Sequence, residues 1–572
     1  MQKSFFKFIL LSFIVMTITS CSKKTPSEAK YIPKDASNVF VINPKSLDEK
    51  LKSGNLSLDS FINRFKTLGD SIDADKLKKW DDFKNSGINL DNNLYFFLVQ
   101  KGSMQKGLTT AFSVMASLKD EAKFEKFIKE QKEFKAENLT KEKTHSYLST
   151  NEKFSLAWNK EVVVATFYSA DKKPLIDSLG NYSEPDNTEE NKAQKEEVNR
   201  YFNLKETESV ASISLFKDMF KTKADGYVFS STNAFIGYLA STPLNIPKVQ
   251  ELLQDNYSST TFNFENGKIV VSSNSYTNPM LSSILKKYSS AKVNTHLAEF
   301  FPTQNLNGTI LISFNPELFD GLLKELEVKG MLDGFLSQQG LTSADLFKVL
   351  SGEINVAMSD FNVESKEVTT KLYDGSEYKH NSTVPSFKLI VTAKVGDKAA
   401  FTKIMDKAVE NKLLAKTTNG YTTTEAMSFT GMYFFADEKT IVIASNQELY
   451  NTYLANKQKS NINSNILSEF KGKSLAAYID INSLINGSLK SIKDSSFSSN
   501  ALALTNSTFK NIVSTSDGFD GKGISGKLTV NMVNEKQNSL VSILNLISDL
   551  YKTVKETEKK QSNTTASEAV TF

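Results

Sequence analysis

The chain of 572 residues holds one cysteine, at position 21, three histidines and two tryptophans. A single cysteine excludes any intramolecular disulfide, so an exported protein of this length must be held by its cores alone. His145, His296 and His380 stand far apart in sequence, without the clustered His, Cys or carboxylate partners of a zinc site. Trp80 and Trp158 are too few to suggest a stacking platform for carbohydrate. Charge of one sign is lacking too. The 69 Lys+Arg against 65 Asp+Glu leave +4 over the whole length, which gives no argument for a nucleic-acid surface.

Catalytic signatures are equally scarce. Gly472-Lys473-Ser474 ends like a phosphate loop, but Leu467 stands where the first glycine belongs and a strand pattern follows. Asp70, Asp73 and Asp75 lack the glycine and the terminal glutamate of a calcium loop. Ser283-x-x-Lys286 matches a serine–lysine pattern, yet carries almost no weight in a chain so rich in both residues. There is no GxSxG elbow and no HExxH. No catalytic, cofactor-binding or metal-ligating residue is assigned.

What is present begins at the N-terminus. Lys3 and Lys7 lead into an apolar run from Phe8 to Ile18, broken only by Ser12 and Thr17. This is the layout of a secretory signal, and it is short of the roughly 20 residues that cross a bilayer. The following Ile18-Thr19-Ser20-Cys21 resembles the bacterial lipobox. The resemblance implies cleavage after residue 20, a lipid on the Cys21 thiol and a further acyl chain on its amine. Two or more chains suffice for stable anchoring. Residues 21–30 are polar, contain Pro26 and read as a flexible tether. Surface lipoproteins of the Bacteroidota carry acidic residues just after the cysteine. Lys23 and Lys24 stand there instead, and Ser22 is not the aspartate of inner-membrane retention. The expected location is therefore the outer membrane, facing the periplasm, with the membrane itself a partner through Cys21.

The composition, 40% hydrophobic and 23% charged, is that of a globular chain. Its most informative pattern is internal. NVFVINPKSLDEKL at 38–51 is echoed by TILISFNPELFDGLL at 309–323, where Asn43 and Asn315 can cap a helix and Pro44 and Pro316 suit its first turn. Three further pairs follow in the same order: Phe124 with Phe401 (offset 277), Val162 with Ile441 (279) and Ile213 with Ile479 (266). Ile284 with Ile543 (259) closes the series. Five blocks in one order argue for duplication. The expected fold is α+β, with two related lobes at 31–292 and 293–552. Each is an antiparallel sheet with helices packed on one face. Asn181–Arg200 and 362–385 read as surface inserts, and 553–572 as a mobile polar tail.

The lipobox, the opening YIPKDASNVFVINPKSL and the two-half layout together resemble a domain-of-unknown-function family of Bacteroidota lipoproteins, over most of the mature chain. That resemblance brings no activity with it. The expectation is a non-catalytic envelope protein that binds or scaffolds an envelope protein partner. The rivals are an envelope-polymer hydrolase built on carboxylates and a protein that captures a glycan or an apolar ligand. Asp70-Ser71-Ile72 and Asp177-Ser178-Leu179 resemble the tripeptide that Bacteroidota O-glycosylate, which implies modification at Ser71 and Ser178.

Overall fold

The computed structural model describes residues 25–61, 81–103, 107–131, 134–149, 153–170, 175–176, 182–183, 188–233, 236, 247–288, 292–299, 305–371, 373, 375–424, 431–455, 459–489 and 497–568. The fold is mixed α+β, with twenty strands in antiparallel sheet and many helices between them. The chain divides into two compact units. The first holds residues 1–46, 78–245 and 253–261, and the second 47–77, 246–252 and 262–572.

In the first unit the strands are β1 (Ala36–Ile42), β2 (Leu94–Ser103), β3 (Gly107–Ser117), β4 (Leu139–Lys141), β5 (Ser146–Ser149), β6 (Phe154–Trp158) and β7 (Val162–Ala170). Among the described residues the short β8 (Leu175–Ile176) and β9 (Tyr182–Ser183) pair only with each other, and β10 (Gly226–Ser231) follows. The sheet runs β4-β5-β6-β7-β3-β2-β1-β10, antiparallel throughout. Strand β11 (Tyr257–Glu265) leaves the first unit at Thr261 and enters the second at Phe262.

The second unit continues with β12 (Lys268–Tyr276), β13 (Leu306–Ser313), β14 (Leu350–Lys371), β15 (Glu377–Val395), β16 (Leu414–Thr417) and β17 (Gly420–Thr423). It is completed by β18 (Tyr433–Ala436), β19 (Thr440–Ala444), β20 (Leu475–Asp480), β21 (Phe509–Ser516) and β22 (Ser525–Met532). Its order is β16-β17-β18-β19-β15-β14-β13-β20-β21-β22-β12.

Local chemistry explains the helix starts. Asn43 accepts the Ser46 amide at 3.1 Å, and Asn315 accepts that of Glu317 at 3.0 Å. Asp120 caps Glu121–Lys129 through the Lys123 amide at 3.0 Å. Asp397 caps Lys398–Glu410 through the Ala400 amide at 2.8 Å. Each such oxygen satisfies a donor that the first turn cannot satisfy itself.

Helices pack on both faces of each sheet, not on one as expected. In the first unit Tyr95, Phe97, Met115 and Val164 face Val198 and Tyr201 of helix Thr188–Asn203. The alternate residues Ala116, Leu148, Trp158 and Val163 face Phe124 and Ile128 on the other side. The second unit repeats this, with Ala357, Ile390 and Val442 under helix Gln447–Ala455, and Val395, Ala436 and Ile441 under Phe401 and Met405. Apolar residues on both parities of a strand call for cover on both sides.

Other expectations shift as well. Thr188–Asn203, read as part of a surface insert, buries Gln194, Val198 and Tyr201. Its polar composition hid this, because the inward Glu197 is matched by Lys101 at 2.6 Å and Arg200 at 2.5 Å. Residues 362–371 and 377–385 form the far part of the β14–β15 hairpin, which pairs out to Lys371 and Glu377. Residues 553–568 continue the helix Ser539–Glu568. Within the expected tether, Ser27–Tyr31 makes a 3-10 turn and Ala29 is fully buried in the first core.

Candidate functional site

Cys21, Ser71 and Ser178 lie outside the described residues. His145, His296 and His380 fall in separate places. The structure brings none of them together, and among the described residues no group of three or more His, Cys, Asp or Glu could hold a metal ion. No helix among them is long and apolar enough to cross a membrane.

The sheet faces are more informative. In an antiparallel ladder, directly opposed residues point to the same side, so each rung can be followed across the strands. In the second unit one rung reads Phe434, Ile443, Val391, Val356, Ile310 and Ala477. The neighbouring rung reads Leu389, Met358, Gly308, Ile479, Ile512 and Val530. Apart from Phe434, which packs against the Phe401 core, these rungs are aliphatic and free of charge, yet Ile310 is 42% exposed and Ile479 40%. The opposite, helix-covered face carries buried Thr309, Asn355, Thr392, Thr515 and Thr529. There the Thr309 hydroxyl donates to Asn355 Oδ1 at 2.7 Å. Polar groups thus lie on the helix-covered side, and isoleucines lie on the more exposed side. The two exposed isoleucines stand among half-buried apolar neighbours.

The first unit has a matching surface. One rung reads Phe154, Phe167, Phe112, Leu98, Asn38 and Ser230. The next reads Leu156, Ala165, Val114, Phe96, Phe40 and Val228. Phe112 is 42% and Phe167 47% exposed. Strand alternation alone hid both surfaces in the sequence, because it marks an apolar side without saying which side is covered.

The first unit also holds a cleft of about 360 Å³, lined by Lys141, Glu142, Thr144, His145, Lys160 and Glu161 among others. His145 is buried and stacked on Phe202, with ring centroids 4.3 Å apart. Its Nε2–H donates to Asn199 Oδ1 at 2.9 Å, while Nδ1 stands 3.0 Å from the Thr144 hydroxyl. Burial pushes its pKa down. Of the three acids that line it, Glu121, Glu142 and Glu161, the last two are tied to lysines. Lys195, 2.8 Å away, holds Glu142 below its usual range, and Lys30, at 2.7 Å, does the same for Glu161. Neither carboxyl is raised toward the proton-donor role that a glycosidase acid requires.

No curated protein and no solved structure matches the chain. One family does, described as a domain of unknown function (DUF4836), over residues 29–540. With nearly the whole described fold inside that span, the chain belongs to the DUF4836 family.

Proposed function

We propose that this protein is a cell-envelope lipoprotein, held by lipid on Cys21 at the periplasmic side of the outer membrane, whose role is to bind rather than to catalyse. Its ligand is apolar, with long acyl chains as the class that suits the second unit. The observation behind this is the uncharged aliphatic surface on β13, β14, β15 and β20, with Ile310 and Ile479 about two-fifths exposed. Flexible alkyl chains gain roughly 0.8 kcal/mol for each CH₂ removed from water. Branched aliphatic side chains without charge suit them and repel head groups.

The reading includes an internal duplication. The order β4-β5-β6-β7-β3-β2-β1-β10 recurs as β16-β17-β18-β19-β15-β14-β13-β20. The helix starts at Asp120 and Asp397 fall after the third strand of each series. In the β12–β22 ladder Val270 pairs with Thr529, 259 residues apart. That is the offset which relates Ile284 to Ile543. Segments matched by the repeat therefore pair with each other about a central rung, as self-complementary strands do.

Direct binding tests the reading. The chain from residue 22 onward is titrated with a radiolabelled monoacylglycerol. Saturable binding that falls tenfold or more in Ile310→Asp supports the proposal. Wild-type binding no greater than that of an unrelated lipid-free protein contradicts it.

A further inference from the structure

The cleft of about 360 Å³ in the first unit lies where three connections of one sheet meet. Glu121 opens the helix that follows β3, Lys141 to Ser146 lead from β4 into β5, and Lys160 and Glu161 stand between β6 and β7. Connections carried by a rigid sheet are where binding residues concentrate. These ones are fixed in place. Asp120 caps the helix through the Lys123 amide. Asn159 Oδ1 accepts the Glu161 and Val162 amides at 2.9 and 3.0 Å, and the Leu118 amide donates to the Glu161 carbonyl at 2.7 Å. The volume suits a small molecule.

The charges lining the cleft are Glu121, Lys141, Glu142, Lys160 and Glu161, with His145 beside them. Three of the five are cancelled by partners outside the lining: Lys141 by Glu125 at 2.6 Å, Glu142 by Lys195 at 2.8 Å and Glu161 by Lys30 at 2.7 Å. The side chains of Glu121 and Lys160 make no hydrogen bond or ion pair among the described residues, with each other or with any other group. One carboxylate and one ammonium thus stand apart in the same cleft. A singly charged ligand would be drawn by one of them and repelled by the other. A ligand with an ammonium at one end and a carboxylate at the other complements both. Ser146, 3% exposed, adds a neutral donor to the lining. Its hydroxyl accepts from Lys141 Nζ at 2.8 Å and keeps its own proton to give. An exposed ion pair contributes little singly, so recognition needs both ends of the ligand at once.

We propose that this cleft binds a short zwitterion, an amino acid or small peptide with free ammonium and free carboxylate, whose ammonium meets Glu121 and whose carboxylate meets Lys160. The site is separate from the acyl-binding surface proposed for the second unit and does not depend on it.

Calorimetric titration of the chain from residue 22 onward with dialanine and two capped analogues tests this. N-acetyl-dialanine lacks the ammonium, and dialanine amide lacks the carboxylate. Dialanine is expected to bind saturably, and each analogue at least tenfold more weakly. Glu121→Gln should weaken dialanine at least tenfold and leave N-acetyl-dialanine no weaker, because that analogue has nothing for the lost carboxylate to hold. Lys160→Met should weaken dialanine likewise and leave dialanine amide no weaker. The analogue that each variant still binds guards against a folding defect. Dialanine that does not bind the wild type, that binds no better than its capped forms, or that is unaffected by either substitution overturns the site. Radiolabelled monoacylglycerol, which probes the second unit, is expected to bind both variants as it binds the wild type, so the failure of either site is seen by itself.

Discussion

Acidification should weaken the first unit through one buried ring. His145 is stacked on Phe202 and engages Thr144 and Asn199 through its two nitrogens. The charges facing it come from Glu142, which favours the imidazolium, and Lys195 on helix Thr188–Asn203, which opposes it. Those two charges are themselves joined at 2.8 Å, so burial decides and holds the pKa down. In the unfolded chain the ring titrates near 6.5. Above that value neither state carries the proton, and the full stabilisation is present. As pH falls from about 6.5 toward the lower folded value, only the unfolded state gains a proton. Stability is lost there at up to about 1.4 kcal/mol per pH unit. His145→Gln has no proton to take up. Wild type should therefore lose more stability than the variant between pH 7.5 and 5.5, and the comparison cancels the background from carboxylates. Urea denaturation at the two pH values, followed by fluorescence of Trp158 beside the same cleft, measures the difference. Parallel losses in wild type and variant would refute the burial argument.

Two further perturbations probe the packing. Phe124 and Phe401 are each nearly fully buried and anchor helices Glu121–Lys129 and Lys398–Glu410, so Phe124→Ala and Phe401→Ala should each cost about 3–5 kcal/mol in chemical denaturation. A cost below about 1 kcal/mol at either site would contradict its place in the core. Glu197→Ala removes the acceptor shared by Lys101 and Arg200, but Arg200 keeps Asp35 at 2.9 and 3.2 Å. Because both cations remain partly solvated, the loss should be about 1–2 kcal/mol rather than that of a deeply buried pair. A thermal shift of zero for this variant would argue that the network is only a surface feature.

Much of the architecture was legible because local chemistry repeats. Asn-Pro after a β-branched run marked both first helices, at Asn43 and Asn315. Phe124 and Phe401 could be matched from spacing alone because each is the first large apolar residue of its helix face. Helix Thr188–Asn203 was missed for the opposite reason. Its inward side uses Gln194 and Glu197, whose burial depends on partners far away in sequence. The candidate site was least visible. Ile310 and Leu311 alternate like any half-buried strand, and nothing in that alternation says that Leu311 is the covered one. Only the register of β13 against β14 and β20 joins the scattered isoleucines and valines into one surface.

The central claim, that this fold binds apolar molecules, is met most directly by purifying the protein from its own cell envelope and analysing what comes with it. Native mass spectrometry with solvent extraction should recover acyl-chain lipids in a fixed ratio to protein, lost when Ile310 and Ile443 are both changed to Asp. A wild-type protein that carries no lipid, or one whose lipid content is the same in that variant, would contradict the account.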